Sequence, residues 1–310
     1  MSGPPRVLRG AGAAGCHRVG EVRIRRVVEL EAAGGTRFLL PDATREAVRE
    51  IDWLRPHFAD AEGNLILSIH SWLLDTPSGR VVVDTGLGND KQREIPLWNA
   101  RSGPYLEELT SAGFAPGDID LVINTHLHVD HVGWNTRWRD GAWTPTFPSA
   151  RYLLGRVEWE HWSRRPEPQY RQVIDDSVRP VVEAGLADLF EMDQRLTPEI
   201  SAEPTTGHSI GHVSLWIESA GERALVSGDF LHHPAQAARP EWCSTADHDR
   251  DQAIATRRRM LARLADEGVA VFGMHFGEPC RVLRDGDAFR LEPTTSSESA
   301  LTGSDRRTSD

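Results

Sequence analysis

Twelve consecutive residues limit what this chain can fold into more than any other stretch. In "NTHLHVDHVGWN", residues 124–135, His126, His128, Asp130 and His131 fall within six positions. Imidazoles and carboxylates this close repel like-charged neighbours, and they lose solvation when buried. The crowding must therefore be open to water or offset by something positive. The preceding "DIDLVINTH" (118–126) reads as a buried strand, which places the cluster in a loop at a strand's C-terminal end. A sheet that gathers polar residues along one edge is what layered α/β folds provide.

Other segments extend that pattern. "VRIRRVVEL" (22–30) alternates like a strand, and "LILSIHSWLLDT" followed by "GRVVVDTG" reads as a hairpin about a "PSG" turn. "PYLEELTSAG" (104–113) has helical spacing and a Gly stop, and the long stretch 251–267 reads as a helix. "RYLL" (151–154), "HVSLWIES", "ERALVSGD" and "GVAVFGMH" read as further strands, and "VEWEHW" and 169–184 as helices. Mixed sheets covered by helices are expected. The segment 37–64 contains a helical "TREAVREIDWL". With Phe38, Trp53 and Phe58 it reads either as a flap over the site or as a capping helix. No tandem period between 20 and 50 residues argues for a solenoid.

A length of 310 residues suits one elaborated domain, read as 20–292. The ends, 1–19 and 293–310, are rich in Gly, Pro, Ser, Thr and charge and are expected to be flexible. A net charge of −11 argues against a surface that tracks phosphates, so no nucleic-acid partner is expected. The basic run Arg257, Arg258 and Arg259 is read as a solvated helix face. No apolar run approaches the roughly 20 residues of a membrane span, and none forms the core of a signal peptide. Cys16, Cys243 and Cys280 form no CxxC pair, which suits a reducing compartment. A cytoplasmic location without a membrane partner is therefore expected.

A histidine-rich surface loop is the plain alternative for 126–131, but three more pieces sit at later strand ends. "EPTTGHSIGH" contributes His208, "LVSGDF" contributes Asp229 and "VFGMHFGEP" contributes His275. Together with the first cluster they make five histidines and two aspartates. Such nitrogen and oxygen donors suit zinc, and seven suffice for two ions with open positions left for solvent.

The ordered set "HLHVDH", "TTGHSIGH", "SGD" and a late strand-end His, with "VVVDTG" before it, resembles the metallo-β-lactamase superfamily over roughly residues 20–290. The resemblance implies an αβ/βα sandwich, two mixed β-sheets flanked by helices. It implies two Zn2+ per chain, one held by His126, His128 and His208 and the other by Asp130, His131 and His275, with Asp229 bridging. Asp84 would lie behind the first metal loop, and His212 would act behind the ligands. The "GDFLHHPAQ" stretch resembles the lactonase and methyl parathion hydrolase-like branch. His232 stands where many of those lactonases have a Tyr near the substrate carbonyl.

The chemistry implied is opening of a lactone or cleavage of an ester by a hydroxide bridging the metals. Asp130 would hold or shuttle a proton, and His232 would donate a hydrogen bond to the oxyanion. Two alternatives stay open: an organophosphate or aryl-ester hydrolase of the same branch, and a non-hydrolytic iron-binding member such as a dioxygenase. The expected partner is a small-molecule lactone or ester, and a homodimer fits the branch. Trp134, Trp138 and Trp143 are read either as an apolar wall of the pocket or as packing beneath the loop. Leu97, Trp98 and Tyr105 would add to that lining. Trp134 replaces the second Gly of the family's frequent "HxGGN", and is expected to shape access to the metals.

Overall fold

The structure is a computed structural model that describes residues 5–9, 12–165 and 167–294. The expected tail falls outside the described residues from 295 onwards. The chain begins with β1 (Arg6–Arg9), β2 (Gly12–Val19), β3 (Val22–Ala33), β4 (Ile66–Thr76), β5 (Gly79–Val83) and β6 (Leu121–Ile123). A small hairpin, β7 (Thr136–Arg139) and β8 (Ala142–Pro145), stands apart, and β9 (Arg151–Gly155) and β10 (Ala187–Phe190) return to the first sheet. That sheet runs β1-β3-β4-β5-β6-β9-β10, with β2 also on β3.

The second sheet is β11 (Ile200–Pro204), β12 (Val213–Ser219), β13 (Glu222–Val226), β14 (Ala270–Phe272), β15 (Cys280–Asp285) and β16 (Ala288–Pro293), in that order. Parallel and antiparallel pairs occur in both sheets.

Strand periodicity explains the layering. Trp72 and Leu74 of β4 and Val81 and Val83 of β5 face Leu215 and Ile217 of β12 and Ala224 and Val226 of β13 in one buried cluster between the sheets. The intervening Leu73 and Val82 face outward, where they meet Tyr105 and Leu109 of the helix Tyr105–Ser111. On the second sheet the outward Trp216, Leu225 and Val271 pack with Met260, Leu261 and Leu264 of an 18-residue helix, 250–267. That helix starts where the Asp249 carboxylate accepts the Gln252 N–H, and stops at Gly268 with φ 66°. Helix, sheet, sheet and helix are thus stacked, the αβ/βα order. Among the described residues no helix is long and apolar enough to cross a membrane.

Three expectations change. The sheet starts earlier than residue 20: residues 6–9 and 12–19 pair with β3, so the reading of 1–19 as a flexible segment fails for them. Backbone pairing with a long strand orders a glycine-rich segment that has little side-chain area of its own. The segment 37–64 is chiefly a cap. Val48, Ile51, Leu54 and Phe58 pack against the second sheet's helix layer, while Phe38 and Leu39 reach the cavity over the site. The basic run splits as well. Arg258 and Arg259 are exposed, but Arg257 is fully buried and donates to the carbonyls of Phe230, Pro240 and Trp242. A helix turns 100° per residue, so three consecutive residues cannot share one face.

Candidate metal centre

The ligand-bearing loops all leave the same edge of the sandwich. β6 runs into the loop 124–135, β13 into Asp229 and β14 into His275, while His208 precedes β12. The Thr125 carbonyl accepts the Val213 N–H and so ties the two sheets together at that edge. Two glycines allow the close approach. A Cβ on Gly133 would fall 1.9 Å from the Leu87 backbone, and Gly228, at φ 56°, sits where a Cβ would be 2.4 Å from His212 Nε2.

All seven expected ligands converge. His128 Nδ1 lies 2.9 Å and His126 Nε2 3.2 Å from His208 Nε2. Asp229 Oδ2 lies 3.1 Å from His275 Nε2, 3.3 Å from His131 Nε2, 3.5 Å from His208 Nε2 and 4.0 Å from His126 Nε2. Asp130 faces His131 at 3.7 Å and His275 at 3.8 Å. Ligand atoms around a tetrahedral zinc stand about 3.3 Å apart, given bonds of about 2.0 Å. The clusters His126/His128/His208 and Asp130/His131/His275, with Asp229 joining them, therefore have the spacing a divalent ion needs. Buried atoms without a hydrogen-bond partner point the same way: His131 Nε2, Asp229 Oδ1 and both ring nitrogens of His232. Orphaned donors and acceptors of this kind are costly unless an ion completes them.

Four of the five candidate ligand rings are held from behind. Asp84, fully buried, accepts from His131 Nδ1 at 2.8 Å and from the Thr125 N–H and hydroxyl, both at 2.8 Å. With its proton committed to Asp84, the Thr125 oxygen accepts His126 Nδ1–H at 3.1 Å. His208 Nδ1 donates to Asp247 at 3.0 Å, and His275 Nδ1 to the Ser68 carbonyl at 3.1 Å. An acceptor behind Nδ1 selects the tautomer whose Nε2 lone pair faces the site. His212 Nε2 accepts the Asp229 N–H at 2.6 Å and so fixes the backbone of Asp229.

Charge follows from these contacts. Burial, then repulsion from neighbouring imidazoles, holds His126 and His128 well below the usual histidine range, so both are neutral donors. Burial also keeps His232 well below that range. For His131 burial opposes protonation, but the carboxylates of Asp229, Asp84 and Asp130 outweigh it and raise the pKa well above normal. Burial likewise opposes the ionisation of Asp229, yet His131, His275 and His232 hold it well below the usual carboxylate range. Without an ion, positive charge gathers on imidazoles around one carboxylate, which is the role a cation fills.

Two positioning residues escaped the sequence reading. Asp247 lies in the loop "STADH", in no motif. Glu158, in "VEWEHW" on the helix 156–162, is fully buried between the two ligand loops. The only hint was an acid within an otherwise apolar helical face.

A cavity of about 630 Å³ opens over the ligands, lined among others by Leu39, Trp98, Val129, Trp162, Tyr170 and Ile174. Asp130, His208, Asp229 and His232 form its floor. The three tryptophans singled out from the sequence are not among its lining residues. Trp134 is buried away from the cavity, stacked on Tyr105 at 5.2 Å with its N–H on Glu29, so it does not restrict access. Trp138 and Trp143 pair on the β7–β8 hairpin, and the Lys91 ammonium lies 3.7 Å over the Trp143 ring. Trp98 does line the cavity; Leu97 and Tyr105 do not.

Comparison with known proteins agrees with this geometry. An N-acyl homoserine lactonase of Bacillus thuringiensis is 29% identical over 167 residues, 50% of this chain and 60% of that protein. A probable metallo-hydrolase of Bacillus subtilis, YybB, is 26% identical over 167 residues, 54% of this chain and 64% of that protein. The aligned part thus spans less than two thirds of these relatives. Among solved structures, AidC, a dizinc quorum-quenching lactonase, superposes with a TM-score of 0.77 at 20% identity, covering 92% of this chain and 98% of that one. The hydrolase AbOPH gives 0.76 at 21% identity, covering 93% and 98%. At such identities the likeness speaks for the fold. Residues 66–294 match the Metallo-beta-lactamase superfamily, and the chain belongs to that family.

Proposed function

We propose that this protein is a dinuclear zinc hydrolase that opens lactones or cleaves esters, with N-acyl homoserine lactones as its leading substrate class. The observation that carries the proposal is the convergence of the seven candidate ligands, with orphaned buried atoms among them, beneath a roughly 630 Å³ cavity whose lining mixes apolar residues with Arg93, Arg165 and Glu167. Its curated relatives named as N-acyl homoserine lactonases support the substrate class. His126, His128 and His208 would hold one ion and Asp130, His131 and His275 the other, with Asp229 between them. Bound there, such ions lower the pKa of water towards neutrality and polarise an acyl oxygen.

The chain's own groups do the rest. Asp130 is the one ligand carboxylate that remains partly exposed, with 15% of its side chain accessible, and it faces the cavity. It is placed to take a proton from attacking water and return it to the leaving alkoxide. His232, buried beside Asp229 with both ring nitrogens unpartnered, has an N–H available for an oxyanion. Trp98, Val129, Trp162 and Ile174 give an acyl chain an apolar bed and limit competing water.

The test is a panel of lactones, aryl esters, phosphotriesters and thioesters, run with zinc-loaded and chelated protein. Lactone turnover that disappears with chelation and in His128→Ala is expected. Full activity after metal removal, or turnover confined to phosphotriesters or thioesters, would refute the proposal. Metal analysis near two zinc ions per chain is expected, whereas one iron would support the oxygenase alternative.

A further inference from the structure

We propose that Glu158 is a positioning residue that sets the metal affinity of one half of the centre, the half formed by His126, His128 and His208. The proposal rests on the dinuclear reading above. The Glu158 carboxylate is fully buried, and three of its four hydrogen bonds lead to a residue adjoining or packing on one of those three ligands. Oε2 accepts the N–H of Leu127, the residue between His126 and His128, at 3.2 Å. The same oxygen accepts Trp162 Nε1–H at 2.6 Å, and the Trp162 ring lies edge-to-face on His128 with centroids 5.3 Å apart. Oε1 accepts the Ser209 hydroxyl, next to His208, and the Gly211 N–H at 2.7 Å. One side chain thus joins the loop 126–131 to the loop 205–212, which come from different sheets.

The donors are all neutral: two peptide N–H groups, an indole and a hydroxyl. Among the described residues these four donors are the partners seen for Glu158, whereas a buried carboxylate is usually also matched by a positive charge. A cation held by His126, His128 and His208, the groups it braces, supplies that charge. Asp130, His131 and His275 have different anchors, Asp84 and the Ser68 carbonyl, and do not touch Glu158. Asp84 also reaches His126 through Thr125, so Glu158, not Asp84, is the support confined to the first half.

Glu158→Gln preserves size but offers one acceptor oxygen instead of two. The Ser209 hydroxyl can turn to accept from the new amide, but the Gly211 N–H cannot, so the brace between the loops opens on that side. Zinc titration against a chromophoric chelator, together with the visible spectrum of the cobalt-loaded protein, reads the two positions. Wild type should show two uptake steps. In Glu158→Gln one step should weaken 10–100-fold while the other stays within about twofold, the size found when partners behind a metal ligand are changed. The cobalt spectrum should lose the contribution of one ion at limiting metal.

Ser209→Ala removes one donor and leaves the carboxylate in place. It should produce a smaller weakening of the same step, and it serves if the first variant fails to fold. Two unshifted steps in either folded variant, or two steps weakened equally, would overturn the assignment. A wild-type protein that takes up no metal overturns the dinuclear reading itself, and this assignment with it.

Discussion

Replacing Asp247 by Asn should damage the metal centre through a residue that touches no metal. The Asp247 carboxylate has two sets of donors: His208 Nδ1 on Oδ1 at 3.0 Å, and on Oδ2 the Ser244 N–H at 2.9 Å and the Arg257 guanidinium at 3.6 Å. Both acid and guanidinium are fully buried, and Arg257 Nη2 has no hydrogen bond of its own. An amide has one acceptor oxygen, and the charged guanidinium claims it. The Asn NH2 then faces His208 Nδ1, which must become an acceptor. The His208 proton moves to Nε2, where it points at the metal position and blocks the lone pair.

Losing a tautomer-fixing partner of this kind costs about 10–100-fold in metal affinity, or about 1.4–2.7 kcal/mol. If the amide turns the other way, the guanidinium is left unpaired. The cost then falls on the fold, at about 3–5 kcal/mol for a broken buried pair. Chelator competition measures the first term, urea unfolding of the metal-free protein measures the second, and nitrogen chemical shifts of the His208 ring report the tautomer. Unchanged zinc affinity with a retained Nδ1 proton and unchanged stability would refute the reasoning.

Lys91 gives a pH-dependent prediction. Burial, outweighing attraction to Asp176, lowers its pKa to about 7, although Thr136 Oγ1, at 2.9 Å, and the Asp176 carbonyl both accept from it. The native state therefore releases this proton before the unfolded chain does, and stability rises between about pH 7 and 10.5. From pH 6 to 9 the gain is roughly 2.5 kcal/mol. Lys91→Met should remove that slope in urea titrations of metal-free protein while Arg93 keeps Asp176 paired; parallel curves for both proteins would argue against it. His232→Ala should lower kcat for a lactone by about 10–1,000-fold with little change in zinc content, and an unchanged kcat and KM would remove His232 from the reaction. Trp134→Phe should cost about 1–3 kcal/mol by leaving Glu29 Oε1 without its indole donor, yet leave substrate preference unaltered. A shifted preference would restore Trp134 to the pocket.

The fold was largely legible because its strands carry period-2 apolar patterns, and because helix stops such as Gly268 are local. The N-terminal strands were not legible. Their order comes from pairing with β3, and their own side chains give no signal. For the three tryptophans, proximity to the metal loop in sequence suggested a wall of the cavity. Yet the Gly133 turn, pressed against Leu87, swings Trp134 down onto Tyr105. Besides Leu127 and Val129 of the motif, the apolar lining comes from Phe38, Leu39, Ile95, Trp98, Trp162 and Ile174, residues with no sequence link to it.

The ligand set itself belongs to the sequence. Donor types, their spacing in "HLHVDH" and their places at strand ends follow from local chemistry that a single chain displays in one dimension. What held those donors in place belongs to the tertiary structure alone. Asp84 and Asp247 accept from ligand rings 47 and 39 residues away, and Glu158 accepts from groups beside other ligands 31 and 51 residues away, all through direct hydrogen bonds. Such contacts exist only once two sheets pack and bring their edges together. A carboxylate's role as an anchor is therefore set by which donors the fold places around it, and neither "STADH" nor "VEWEHW" names those donors.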